Sequence, residues 1–356
     1  MMKYTIAIQP DDYGPGDSAS PIYTRFLQEA GHEVREVDVF RADILDQVQG
    51  CHGFMWRFAH FPNLRQIARR LMPVLEHELG IVVYPDQNTC WHYDDKIAQS
   101  YLLPAAGIPM PKTWVWHNAT LAKDWAREAE YPLVLKLLGG ASAENVTLVR
   151  SYKEAETWID RLFGRGINRL SDIHLEPWPW GIQRFRSAAK LILKGIPPQE
   201  RLSEYAWERH KNYILFQEFL PGNEFDTRVA IVGNRAFALR RFNRKGDFRA
   251  SGSGSFDTDP SKIDLAAVRL AFHVADRLKT QSVAIDCMLR GNERVVSEIS
   301  YSYVCWIGYS CPGHWVLSGD PYAGELIWRE GQMWREEAQA MDFLARLNSR
   351  YAEVYS

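Results

Sequence analysis

The feature that most constrains the fold is an alternation of extended and helical signals over residues 1–85. YTIAIQP, HEVREVDVF, GFMWRF and IVVYP read as strands, and helical stretches lie between them at 21–30, around Ile44 and at 64–78. Strands and helices that alternate with short connections favour a mostly parallel sheet covered by helices.

The remaining text changes character. Residues 95–106 read as a helix that stops at Gly107, with Pro109 beyond it. TWVWH, a helix at 121–130, and then YPLVLKLL and NVTLVR follow, the last two bracketing Gly139-Gly140-Ala141-Ser142. Residues 151–211 read as helical with an insertion that carries PWPW and Pro197-Pro198. Strands return in YILFQEFL, DTRVAIVG and RAFALRRF. A helix at 263–279 precedes SVAIDCML and RVVSEISYSY, an antiparallel pair joined at the RGNE turn. Residues 324–352 read as helical. A chain of 356 residues is expected to hold about two or three domains.

A net charge of -2, from 42 basic and 44 acidic residues, gives no global pull toward nucleic acid or anionic membrane. The five cysteines show no zinc spacing, and the N-terminus lacks the apolar run and cleavage site of a signal peptide. No apolar run approaches a membrane span. A reduced, cytoplasmic protein is expected.

Three groups of residues carry chemistry. Lys136 sits in the apolar strand YPLVLKLL just before Gly139-Gly140, and a buried ammonium needs an anion. Phosphate beside a glycine turn would serve; a lysine snorkelling from an edge strand is the plain alternative. Gln217-Glu218-Phe219-Leu220-Pro221-Gly222, followed by Asp226 and Arg228, offers an extended edge to a planar base and a carboxylate to a ribose, although polar strand ends before Pro-Gly turns are common. Asp286 and Glu298 stand on two strands joined by a short turn, with Ser300 on the same face as Glu298. Paired carboxylates there suit magnesium, and a solvated hairpin face is the alternative.

The order of PDQNTCWHYDDK with LLPAAGIPMPKT, YPLVLKLLGGASAENVTLV, LFQEFLPGNEFDTRVAIVG, RRFNRKGDFRASGSG and AIDCMLRGNERVVSEIS resembles the ATP-grasp superfamily over roughly residues 80–305. Within it, the chain is most similar to ligases related to the ribosomal-protein glutamate ligases, with D-alanine:D-alanine ligase and glutathione synthetase more distant. The resemblance implies an α/β fold, with an N-terminal βα domain at 1–85, a first ATP-grasp lobe at 86–211 and a second at 212–356. It implies ATP and Mg2+ as cofactors. Lys96 and Lys136 would contact ATP phosphates, and Gly139 and Gly140 would belong to the loop covering them. Gln217, Glu218 and Leu220 would form the adenine and ribose edge. Arg228 and Arg241 would serve the phosphate or acyl-phosphate intermediate, and Arg249 the acceptor side. Asp286 and Glu298 would hold magnesium. Ser300 stands where the family usually has asparagine, and Ala141, Ser142 and Glu144 make the glycine loop poorer than usual.

The activity so implied is an ADP-forming carboxylate-amine ligase acting on small-molecule substrates, without nucleic acid or membrane partners. Lysines, arginines and carboxylates, with no Ser/His or Cys/His pair in view, suit phosphoryl transfer by positioning and charge neutralisation. A small-molecule kinase using the same ATP site, or a non-catalytic ATP-binding protein, are the alternatives. The basic and aromatic insertion at about 165–211 is expected either to border the acceptor side of the cleft or to form a solvated helix face.

Overall fold

The computed structural model describes residues 2–11, 18–140, 145–168, 170, 208–303 and 309–352. The first of three sheets contains β1 (Thr5–Ile8), β2 (Glu33–Glu36), β3 (Gly53–Met55) and β4 (Val82–Tyr84), all parallel, in the order β2-β1-β3-β4. Helices Ser20–Glu29, Ile44–Gln47 and Pro62–Pro73 make the crossovers that parallel pairing demands. Both faces are apolar, because alternate residues enter different cores: Ile6, Ile8 and Met55 on one side, Ala7 and Phe54 on the other. The C-terminal helix Arg335–Ala352 closes the first face with Ala340, Phe343 and Leu347. Gly53 permits this approach, since a Cβ there would lie 2.6 Å from the Phe343 ring.

The second sheet is antiparallel and ordered β5 (Thr113–Trp116), β8 (Ile214–Glu218), β6 (Leu133–Lys136), β7 (Val146–Val149). Helices Ala119–Glu128 and Tyr152–Phe163 cover it through Ala122, Ala126, Ala155, Ile159 and Leu162. Asn118 and Ser151 cap them with side-chain oxygens that accept from backbone N–H groups. Strand β8 thus reaches back into the sheet of β5–β7 from beyond the insertion.

The third sheet contains β9 (Phe225–Val232), β10 (Arg235–Phe242), β11 (Phe256–Asp257), β12 (Ser282–Arg290), β13 (Glu293–Ser300), β14 (Gly313–Ser318) and β15 (Glu325–Glu330). It is antiparallel, in the order β13-β12-β9-β10-β14-β15 with β11 paired to β10. Helix Leu265–Leu278 covers one face, together with Leu103 and Ile108 from the segment leading into the second sheet. The expectation of a helix from 324 onward fails for β15. ELIWRE pairs residue for residue with β14 and sets Trp328 against Trp315, ring centroids 4.6 Å apart, so tertiary pairing decides its conformation.

Cys51, Cys90 and Cys287 are free and buried, and Cys311 is buried with its thiol on the Ala238 carbonyl. No described helix is long and apolar enough to cross a membrane. Ala141, Ser142 and Glu144, and the part of the 165–211 insertion that holds Trp178, Trp180, Arg184 and Arg186, lie outside the described residues.

Candidate functional site

Period-2 geometry builds one wall of the site on the third sheet. Asp226, Arg228, Ala230 and Val232 share a face of β9, opposite the face that Val229 and Ile231 bury under helix Leu265–Leu278. Register then sets Arg241 across from Asp226, Asp286 across from Arg228, and Glu298 across from Asp286. The charges close on each other. Arg228 donates two hydrogen bonds to Asp286 at 2.7 and 2.8 Å, and Arg241 donates two to Asp226 at 2.8 and 2.6 Å while also lying 2.8 Å from Asp286. Burial alone would raise the Asp286 pKa, but the Arg228 and Arg241 guanidiniums outweigh it and hold the carboxyl well below the usual range.

The opposite wall comes from β6, the glycine turn and helix Lys96–Ala105. Asp95 caps that helix, its carboxylate accepting from the Ala98 N–H at 2.9 Å, and this places Lys96 at the first turn. Lys96 is buried, 3.1 Å from Glu298 and 3.8 Å from Asp94. Burial favours its neutral form, but Glu298 and Asp94 reverse that and raise its pKa. Lys136 differs. Among the described residues its ammonium donates only to the Ser297 carbonyl, at 3.4 Å, and no carboxylate lies within 4.0 Å of it. Burial, reinforced by the Lys96 charge and only partly offset by Glu298 and Asp286, lowers its pKa to about 8. The turn beyond β6 is held closely: Gly140 N–H donates to Asp94 at 2.9 Å, Asn145 Nδ2 to the Gly139 carbonyl at 2.7 Å, and Leu138 N–H to the Tyr213 hydroxyl at 2.8 Å.

The two walls meet. Lys96, Lys136, Thr113, Gln217 and Ser297 line a cavity of about 10 Å³, room for one water. Gln217 Nε2 donates to Thr113 Oγ1 at 2.9 Å. Glu218 turns toward the start of β5, accepting from Lys112 N–H at 3.0 Å and lying 3.5 Å from Arg290. Leu220 is buried just past β8. Arg249 pairs with Asp247 and donates to the Val146 carbonyl at 3.2 Å, so the loop between β10 and β11 reaches the second sheet.

Asp286 and Glu298 stand opposite each other in the register of β12 and β13, and as hard oxygen donors they fit a magnesium ion in kind. Ser300 Oγ gives its proton to the Ser302 carbonyl at 2.6 Å, which leaves its oxygen lone pairs able to face a cation. Among the described residues no group of three or more His, Cys, Asp or Glu side chains is placed to hold a metal.

Sequence reasoning passed over Arg65, Asp94, Asn145 and Tyr213. Arg65 lies within the helical run 64–78, which reads as cover for the first sheet, and nothing local marks it. Asp94 stands in the YDDK run, but its left-handed backbone, with φ of 50°, shows only in three dimensions.

Residues 198–304 match the family model of the RimK-like ATP-grasp domain. The alpha-aminoadipate–LysW ligase LysX of Saccharolobus solfataricus is 22% identical over 219 residues, which cover 60% of this chain and 62% of that protein, so the chain spans about three fifths of the length of this relative. A probable alpha-L-glutamate ligase of Cellvibrio japonicus is 21% identical over 296 residues, covering 78% and 83%. The crystal structure of D-alanine–D-alanine ligase from Bacillus anthracis superposes with a TM-score of 0.53 at 11% identity, covering 99% of this chain and 100% of that one. Over residues 198–304 the chain is thus similar to RimK-like ATP-grasp domains, and over its length it shares its fold with that ligase.

Proposed function

We propose that the protein is an ADP-forming ligase that joins a carboxylate to an amine through an acyl phosphate. The observation that carries this reading is Lys136, a desolvated ammonium in an apolar strand, beside a glycine turn and without a carboxylate partner among the described residues. Such a group is stabilised by an incoming anion, and a triphosphate is the anion that the fold offers. Lys96 and Lys136 bind the phosphates, and Gly139 and Gly140 let backbone approach them. Gln217, Glu218 and Leu220 border the base and ribose.

Asp286 and Glu298, with Ser300 beside them, would hold magnesium, which when bound neutralises phosphate charge. Arg228 and Arg241, both on Asp286, are placed to exchange that carboxylate for phosphate oxygens. A carboxylate substrate attacks the γ-phosphorus and ADP leaves; the amine then attacks the acyl carbon and phosphate leaves. Arg241 stabilises the oxyanion of the second step, and Arg249 faces the acceptor. The relatives, named as ligases for alpha-aminoadipate and for alpha-L-glutamate, support an amino acid as one substrate. A reducing, cytoplasmic setting belongs to the same reading, supported by the free cysteines.

The test is a screen of paired acids and amines for ATP-dependent phosphate release, with Lys136→Ala as control. ADP, phosphate and an amide in equal amounts are expected. A phosphorylated acceptor formed without an acid would replace the ligase by a kinase. Tight ATP binding without phosphate release for every pair would leave a binding protein.

A further inference from the structure

We propose that Asp94 and Arg65 are positioning residues for nucleotide binding: together they fix the glycine turn and Lys96 against the place the phosphates occupy, and they tie that place to the first sheet's domain. This inference rests on the ATP reading above and adds to it two residues to which the resemblance gives no role, Arg65 lying outside its motifs altogether.

The geometry is specific. Asp94 is buried, and both of its carboxylate oxygens accept from the Gly140 N–H, at 2.9 and 3.1 Å. The same carboxylate lies 3.8 Å from the Lys96 ammonium, and Lys96 donates to the Gly140 carbonyl at 3.4 Å. One acidic group therefore holds the turn through its N–H and faces the lysine that grips the turn's carbonyl. The Lys96 backbone N–H also donates to the Leu138 carbonyl at 2.9 Å, so helix start and turn are joined twice. The contact admits no larger residue: a Cβ on Gly139 would sit 2.6 Å from Asp94 Oδ2, and one on Gly140 2.6 Å from Asn145 Nδ2.

Asp94 is held in turn by Arg65. This arginine is buried on helix Pro62–Pro73, which packs on the first sheet. It donates to the His60 carbonyl at 3.0 Å and to the Asp94 carbonyl at 3.2 Å, lies 3.7 Å from the Asp94 carboxylate, and pairs with Glu208. A guanidinium can satisfy this many acceptors in one plane, and a lysine cannot. Few rotamers remain to either partner, so the turn is pre-organised before nucleotide arrives. Neither residue contacts the arginine group on Asp286, which confines their effect to the lysine wall.

The experiment uses the full chain and the variants Asp94→Asn, Arg65→Gln and the double variant. Asparagine tolerates the left-handed backbone and keeps one acceptor for Gly140, so Asp94→Asn removes the charge with little strain. Two readouts are taken: ATP affinity by titration, and hydrogen exchange of the segment containing Gly140 in the free protein. We expect each single variant to weaken ATP about tenfold and to speed exchange at Gly140 by a similar factor, with the double variant no worse than the poorer single one. A lower melting temperature with unchanged affinity and unchanged exchange would overturn the proposal, and so would fully additive losses. A parent protein that binds no ATP would defeat the functional reading instead, and exchange at Gly140 would still decide whether the pair positions the turn.

Discussion

The two walls of the cleft carry similar charge and treat it in opposite ways. On the third sheet Arg228, Arg241, Asp226 and Asp286 form a closed set of ion pairs between neighbouring strands. On the lysine wall Lys96 is paired, but Lys136 keeps a desolvated ammonium whose pKa falls to about 8. A closed set of buried pairs is stable as it stands, and breaking it is expensive. A half-buried cation with no carboxylate partner among the described residues is unfavourable until an anion arrives. The arginine wall therefore stabilises the free protein, and the lysine wall keeps part of its interaction energy for the ligand.

That contrast can be broken most directly at Asp286. Asp286→Asn leaves two guanidiniums facing a neutral amide, and removal of one partner from a buried pair costs about 3 to 5 kcal/mol. We expect a loss of stability of that order, measured by urea unfolding without nucleotide. Glu298→Gln removes a half-buried carboxylate from the buried Lys96, which Asp94 still faces, and should abolish turnover at a smaller cost in stability than Asp286→Asn. Equal unfolding curves for Asp286→Asn and the parent would show that the arginine wall is not a stabilising unit.

Lys136→Ala probes the other wall. Charge-assisted hydrogen bonds contribute about 1.5 to 3 kcal/mol, or about 10- to 100-fold in ATP affinity. The free variant should be no less stable than the parent, since the group removed is desolvated and lacks a carboxylate partner. A destabilised free variant with normal ATP affinity would reverse the assignment of the two walls.

How far the sequence exposed this contrast depends on range. Lys136 was legible because an ammonium in YPLVLKLL is anomalous whatever surrounds it. Asp286 and Glu298 were legible as a pair because a hairpin brings them together across a short turn. The pairing of Asp286 with Arg228 and Arg241 was not, since it depends on β9 lying between β10 and β12, and sheet order cannot be read from local text. Arg65 was hidden for the same reason, its partner Asp94 being 29 residues away and in another layer. The parallel first sheet was the most legible part, because strand-helix alternation leaves few other arrangements. Strand β15 was the least: its pattern is short, and only the partner β14 makes it extended.

The pH dependence sharpens the lysine side. Burial holds the Lys136 pKa at about 8 in the folded protein against an ordinary value of 10.5, so the unfolded chain binds more protons between those values and the free protein gains stability as pH rises through that window. Phosphate binding demands the charged amine, so ATP affinity should move the other way, falling about tenfold from pH 7 to pH 9 as the ammonium titrates. Titrations in buffers of different ionisation heat should show proton uptake on binding at pH 8.5. Flat affinity and no uptake would mean that Lys136 stays charged in the free protein and that the contrast between the walls is weaker than drawn.

The smallest effect is expected at Tyr213, which supports the lysine wall from behind. Its hydroxyl accepts from the Leu138 N–H at 2.8 Å and lies 2.8 Å from His210 Nδ1. Burial, with Arg65 and Lys96 nearby, lowers the His210 pKa to about 4, so the ring is neutral at pH 7 and Nδ1 can accept the tyrosine proton. The phenol thus sits between one donor and one acceptor. Tyr213→Phe removes both bonds and keeps the ring, leaving a buried N–H and a ring nitrogen to find other partners, at a net cost of about 1 to 3 kcal/mol. Because the orphaned N–H belongs to the residue before Gly139, part of that loss should appear as a few-fold weaker ATP binding, and Asp286→Asn should not add to it beyond its own effect. Weakening of ATP that depends on whether Asp286 is intact would show that the two walls act as one network.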